Sequence, residues 1–281
     1  MTEQQDYPLG YSEQEARRLT DQGALLKDLT QDVLQRAGLA PGMRVLDIGC
    51  GVGDVSLLVA GIVGPGGSVL GVDRAATSVE AARRRAASLG VTNAHFAEAD
   101  VATFETDQKF DAIVGRLVLL YLPEPATVLR RLSRHLRVGG IVAFQEFDMS
   151  QVSQVPPSEL FMKMQQWIRG AFTGGGAEYD MGTKLYATFL RAGLPPPSMI
   201  AATQVVCGPT TAGYEFFVRV LRSLLPLVER SGAANMAEIG IDTLASRLRD
   251  DAVANERVAF LPRAVGAWAR LPEDSGLLPS V

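Results

Sequence analysis

Short apolar segments alternate with helix-patterned segments through the first half of the chain, and that alternation leaves few architectures open. Residues 43–48, 68–72, 94–97, 111–114 and 140–147 read as strands; 54–62, 78–89 and 124–136 read as helices between them. Strands joined through helices specify right-handed crossovers and a mostly parallel sheet. Each strand is a nearly continuous apolar run, as expected where helices cover both faces. The predicted fold class is therefore α/β, a doubly wound, mostly parallel, Rossmann-like sheet.

The flanks are more helical. Residues 12–38 carry a capping box (Ser12, Glu15) and place Leu19, Leu26, Leu29, Val33 and Leu34 near a helical period. Gly38 to Gly42 stops that run. Beyond Asp148 the regularity breaks: Pro156-Pro157 opens a helix to Ile168, and Gly174-Gly175-Gly176 is followed by a helix over 183–192. Residues 199–207 suit a late strand, 213–250 read helical with a break at Ser231-Gly232, and 259–268 are expected to return to the sheet edge. Without repeat or linker, 1–281 reads as one domain. It has an N-terminal helical lid (1–40), a ligand-binding core (41–150) and helical cap insertions (151–182 and 208–255), and the remainder completes the sheet. Met162, Met164 and Trp167, at helical spacing, read as core.

Charge and composition exclude several classes. The net charge is −4, so no basic field invites nucleic acid or an anionic membrane. The start, Met1-Thr2-Glu3-Gln4, lacks a basic and apolar leader, and the longest apolar runs, such as 117–122, fall far short of a membrane span. The expected location is cytoplasmic. Cys50 and Cys207 stand alone, and His95 and His135 are the only histidines, so neither a disulfide framework nor a metal site is expected. Arg83-Arg84-Arg85 reads as a solvated helix face. The oligomeric state is open, a homodimer included.

The stretch Val45-Leu46-Asp47-Ile48-Gly49-Cys50-Gly51-Val52-Gly53 carries the chemistry. Glycines let the chain turn sharply after a strand and bring its backbone against a ligand, while the next helix offers free N–H groups. The dinucleotide fingerprint requires glycine at position 54. This chain has Asp54, whose carboxylate facing the turn would repel a diphosphate. Asp47 adds negative charge where an ammonium or sulfonium group is welcome. Asp73 ends the second strand, where a carboxylate accepts both hydroxyls of a ribose. Asp100-Val101 follows the third, placed to meet an adenine amino group and cover the ring. Three acids at successive strand ends match an adenosyl ligand without phosphate.

These segments, with Phe110-Asp111-Ala112-Ile113-Val114 and Leu136-Arg137-Val138-Gly139-Gly140, resemble the ordered motifs of class I S-adenosylmethionine-dependent methyltransferases. The lead-in Tyr7-Pro8-Leu9-Gly10-Tyr11-Ser12 with Arg18-Leu19 and Gln22 resembles that of bacterial small-molecule enzymes, including those of secondary metabolism. The resemblance implies S-adenosylmethionine as cofactor. It assigns Asp47, Gly49, Cys50 and Gly51 to the methionine end, with Tyr7 and Gln22 closing over it and Arg116 reaching its carboxylate. Asp73 falls to the ribose, Asp100 and Val101 to adenine, and Arg74 is a further cofactor-binding residue. The implied partner is a small organic acceptor, with no nucleic acid or membrane. Two alternatives stay open: an NAD(P)-dependent oxidoreductase on a similar sheet, and a cofactor-binding protein without turnover.

Glu146 lies late in the fifth strand of an apolar core, and ligands of open parallel sheets bind beyond strand C-termini. A carboxyl so placed has the elevated pKa of a useful base unless it is paired. It is a candidate base for an indole- or phenol-like acceptor, with Tyr11 as a relay or orienting hydroxyl; the competing role is a buried, paired glutamate.

Overall fold

The apolar runs pair side by side because burial on both faces removes each of them from water. The computed structural model describes residues 13–231 and 236–273. Helix α1 (Glu13–Ala37) leads into β1 (Arg44–Ile48), α2 (Asp54–Val63), β2 (Ser68–Asp73), α3 (Ala76–Ser88), β3 (Ala94–Glu98) and β4 (Phe110–Arg116). A 3-10 turn (Leu119–Tyr121), α4 (Pro125–Ser133) and β5 (Leu136–Asp148) follow. Then come β6 (Ser153–Val155), α5 (Glu159–Gly174), α6 (Met181–Arg191), β7 (Ser198–Ala202) and β8 (Val205–Val206). The chain continues through α7 (Gly213–Ser231), α8 (Met236–Ile239), α9 (Ile241–Ala254), β9 (Val258–Phe260) and β10 (Arg263–Arg270).

Two compact units emerge. The larger comprises residues 16–146, 181–201 and 264–273 among the described residues. Its sheet runs β3-β2-β1-β4-β5-β10-β7, and β3 to β5 are parallel neighbours. Val45, Leu46 and Ile48 on the central strand are fully buried, each contributing about 1.5–3 kcal/mol relative to exposure. Helices α2 and α3 place Val55, Val59, Val63, Val79 and Ala82 against the same core. On the β5 side, Phe144 meets Phe189 of α6 edge to face at 6.5 Å.

The smaller unit comprises 13–15, 147–180, 202–231 and 236–263 among the described residues. Antiparallel strands β6-β9-β8 put Gln154, Ala259 and Val206 in one buried row. Val206 lies so close to Gly213 that any Cβ there would stand 2.1 Å from it. Phe161 and Phe217 join α5 to α7 in an edge contact at 5.3 Å. Met164 and Trp167 are buried, as read from their spacing, whereas Met162 is 46% exposed. Asp148, fully buried, accepts hydrogen bonds from Arg263 and Ser150. No helix among the described residues is long and apolar enough to cross a membrane.

One sequence expectation needs correction. Residues 259–268 do not simply return to the sheet edge: 258–260 form β9 of the small sheet, and β10 is inserted between β5 and β7. Its run from Ala264 to Ala267 is buried, and its Gly266 allows α1 to approach. A Cβ at Gly266 would sit 2.2 Å from Val33 Cγ2. Gly266→Ala is therefore expected to destabilise by ~1–3 kcal/mol through overpacking, read as a lower urea midpoint. Adding Val33→Ala should recover part of that loss. A single variant with an unchanged midpoint would show that α1 shifts freely on the strand.

Candidate functional site

The C-terminal ends of β1, β2 and β3 lie side by side, and their acids follow from that register. Past Ile48 the backbone turns through Gly49 (φ +63), Gly51 (φ +52) and Gly53 (φ +88), values that side-chain-bearing residues rarely adopt. Gly49 also needs the space: a Cβ there would stand 2.5 Å from Val118 Cγ2. Cys50 is buried, its amide bonded to the Val72 carbonyl at 3.0 Å. Burial and the nearby Asp47 and Asp73 push its thiol pKa far up, so Cys50 fills space as a neutral thiol.

Asp73 ties the turn to the second strand. Its Oδ2 accepts the Gly51 N–H at 2.8 Å, and its Oδ1 accepts the Ala75 N–H at 2.9 Å. A carboxylate oxygen has two lone pairs, so each retains one for a ribose hydroxyl. The carboxylate is thus held rigid with two acceptors to spare, and the adenosyl group passes this test of fit. The Asp73 carbonyl takes the Ala99 N–H at 2.9 Å, which brings Asp100 and Val101 alongside. Asp100 is exposed and accepts the Ala102 N–H at 2.7 Å, while Val101 is buried. Arg74 is exposed beside Asp73.

Behind the turn lies a buried polar layer. Asp47 is 1% exposed and accepts the Ser56 hydroxyl at 2.5 Å. Burial raises its pKa to about 7, opposed by that hydrogen bond and by the charge of Arg116. Asp47 therefore offers a cation in the turn the field of its charge rather than an open carboxylate face. Asp54 pairs with Arg85 at 2.7 Å and with Arg116 at 3.6 Å. Arg116 also donates to Thr30 Oγ1 at 3.2 Å, and that hydroxyl lies 2.7 Å from Gln145 Oε1. Burial lowers the Arg116 pKa from its ordinary value, against the opposing pull of Asp54 and Asp47.

Glu146 is 0% exposed. Its Oε1 accepts the N–H groups of Val118 and Leu119 at 3.0 and 2.8 Å. Burial raises its pKa to about 8 despite those bonds. In this arrangement the carboxyl that the sequence offers as a candidate base has no exposed surface and is engaged by two backbone amides. Tyr7 and Tyr11 lie outside the described residues, as does the Gln22 side chain, although its backbone belongs to α1.

Two further corrections concern charge. Asp54 does not present a bare carboxylate to the turn, since two arginines compensate it. Nor is the 83–85 run wholly solvated: Arg83 donates to the Phe96 carbonyl at 2.7 Å, and Arg85 to that of Val52 at 2.6 Å. Arg131 of α4, which sequence reading missed, donates to the carbonyls of Val101 and Ala102. Gly23 was missed as well; a Cβ there would stand 2.5 Å from Asp54 Oδ2. A lone glycine within a helical pattern was the available signal for it.

A family model described as a methyltransferase domain matches residues 39–191. Trans-aconitate 2-methyltransferase of Methylobacterium nodulans is 38% identical over 115 residues, 41% of this chain and 42% of that protein. The ubiquinone biosynthesis O-methyltransferase of Leptothrix cholodnii is 29% identical over 164 residues, 56% of this chain and 62% of that protein. The chain thus spans less than two thirds of the length of these relatives. Phosphoethanolamine N-methyltransferase 2 of Haemonchus contortus, solved with S-adenosyl-L-methionine, superposes with a TM-score of 0.51 at 19% identity, covering 87% of this chain and 52% of that one.

Asp73→Ala removes a rigid double acceptor, and the expected loss of S-adenosylhomocysteine affinity is ~1.5–3 kcal/mol, about ten- to 150-fold. Calorimetry measures it, and unchanged affinity would refute the ribose assignment. Asp47 supplies a second expectation. Between 3.8 and about 7 the folded protein holds a proton that the unfolded chain has released. Its contribution to stability is therefore complete below 3.8 and declines as pH rises across that window. Asp47→Asn, which keeps an acceptor for Ser56, should flatten melting temperature against pH between 4 and 7. A curve parallel to the unmodified protein's would mean that the folded carboxyl is already ionised there.

Proposed function

Because the chain belongs to the methyltransferase-domain family, we propose that it transfers a methyl group from S-adenosylmethionine to a small aromatic acceptor of phenol or indole type. The observation that carries the reading is Asp73, fixed by two backbone N–H groups with both oxygens still able to accept, beside a left-handed glycine turn. The residues that would hold the cofactor follow from the site: the backbone of Gly49 to Gly51 at the methionine end, Asp73 at the ribose, and Asp100 with Val101 at adenine. Arg116 is proposed for the methionine carboxylate. Its pair with Asp54 is long at 3.6 Å, and Arg85 holds the same carboxylate at 2.7 Å, so Asp54 stays paired if Arg116 turns away. Tyr7 and Gln22 are proposed to close over that end, and Tyr11 to orient the acceptor.

S-adenosylmethionine bound there supplies a methyl group on sulfonium sulfur, an already good leaving group. The protein's part is then chiefly alignment of acceptor and methyl in a line. The aromatic reading draws on the similarity to a ubiquinone biosynthesis O-methyltransferase, 29% identical over 164 residues, and its rival on the trans-aconitate enzyme, 38% identical over 115. The resemblance of the lead-in supports a place in bacterial specialised metabolism.

Incubation with methyl-labelled cofactor and a panel of phenols, indoles and quinones, with trans-aconitate alongside, tests this directly. Label is expected in an aromatic product. Label in the tricarboxylate alone would overturn the aromatic class. Cofactor binding with no transfer to any acceptor in the panel would favour a binding protein without turnover.

A further inference from the structure

The segment after β4 leaves the sheet in a conformation that it does not hold by itself. Leu117 sits at φ +55, a left-handed value for a residue with a branched side chain. Its N–H is taken by the Gln145 carbonyl at 2.9 Å. The next two N–H groups, of Val118 and Leu119, point inward, where no strand can receive them. Both are taken by one atom, Glu146 Oε1. The Tyr121 N–H then closes the turn on the Val118 carbonyl at 3.1 Å. In this geometry the Val118 side chain bears on Gly49, at a distance that leaves no room for a Cβ.

We propose that Glu146 is a positioning residue, whose carboxyl fixes the 117–121 turn so that Val118 forms a wall of the cofactor's glycine loop. The inference rests on the methyltransferase reading and goes beyond it by giving Glu146 a role through Val118 rather than through the acceptor. Three facts converge on it: the carboxyl is wholly buried, one of its oxygens serves two consecutive amides, and the residue carrying the first of those amides touches the loop. Its Oε2 is buried without a hydrogen-bond partner, so protonation there leaves the Oε1 acceptor in place. The rise in pKa through burial is consistent with a neutral acid at physiological pH that still holds the turn.

The test compares Glu146→Gln, Glu146→Ala and Val118→Ala by S-adenosylhomocysteine calorimetry, steady-state kinetics on an accepted substrate and thermal melting. The glutamine amide oxygen can accept both N–H groups. Glu146→Gln should therefore keep affinity and turnover within about threefold, with an unchanged pH profile of kcat/KM. Glu146→Ala leaves two buried N–H groups unpaired and should weaken cofactor affinity about 10- to 100-fold. At saturating cofactor its kcat should fall much less, because the reacting atoms are untouched. Val118→Ala keeps the backbone bonds but removes the wall, and should weaken affinity several-fold; it decides the matter if Glu146→Ala does not fold.

A loss of about 10²–10⁴ in kcat for Glu146→Gln, with affinity intact and an altered pH profile, would make Glu146 the base and overturn the proposal. A lowered melting temperature with unmodified affinity in both alanine variants would reduce it to core packing and overturn it equally. Failure of the unmodified protein to bind S-adenosylhomocysteine would bring down the methyltransferase reading itself, an outcome distinct from either.

Discussion

The Asp73 carboxylate joins three segments that are distant in sequence and must agree in space for the site to exist. One oxygen receives an N–H from the glycine turn and the other an N–H from the start of α3, while the residue's own carbonyl pairs with the strand edge leading to Asp100. Charge-assisted bonds of this kind are about twice as strong as neutral ones. The arrangement also explains why the turn is glycine-rich. Gly51 offers its N–H to Asp73 and then turns through a left-handed φ that favours glycine, and Gly49 must pass beneath Val118. Strand register, turn conformation and acceptor geometry are thus one constraint seen from three sides.

A second layer sits behind this one and handles the cost of buried charge. An ionised carboxylate in an apolar interior costs several kcal/mol unless it is paired. Asp54 is compensated by Arg85 and Arg116. Asp47 is met by Ser56, and burial keeps its pKa near neutrality. Glu146 has no cationic partner in its shift; burial dominates, and backbone N–H groups oppose it. Its pKa consequently rises to about 8. The environments of Asp47 and Glu146 move both away from the ordinary carboxylate value, toward the pH at which the protein would work.

Much of this could be read from local pattern. Apolar runs of four to eight residues, separated by helix-length segments and by glycines at 49, 51 and 53, record interactions that each segment makes with its immediate surroundings. The parallel strands, the turn and the acids at their ends were therefore visible. The arginines were not. Arg85 meets Asp54 and Val52 across 31 and 33 residues, and Arg131 meets Val101 across 30, and no periodicity encodes such pairings. A run of three arginines on one helix looks the same whether its side chains face water or reach a carbonyl. The insertion of β10 inside the sheet was hidden for a similar reason. Ala264 to Ala267 are as apolar as an edge strand facing one layer, and only the missing Cβ of Gly266 against Val33 betrays a second covered face.

By itself the sequence determined the α/β class, the position of the glycine turn, and the acids at the ends of β1, β2 and β3, because side-chain chemistry and backbone propensity act over a few residues. Only the tertiary structure decided which acids face outward. Asp73 and Asp100 keep exposed surface, whereas Asp47 is turned onto Ser56 and Glu146 onto the amides of Val118 and Leu119. That choice depends on which groups arrive from distant segments to satisfy each carboxyl. A glutamate at the end of a buried strand reads identically as base or as brace until the amides it receives are known.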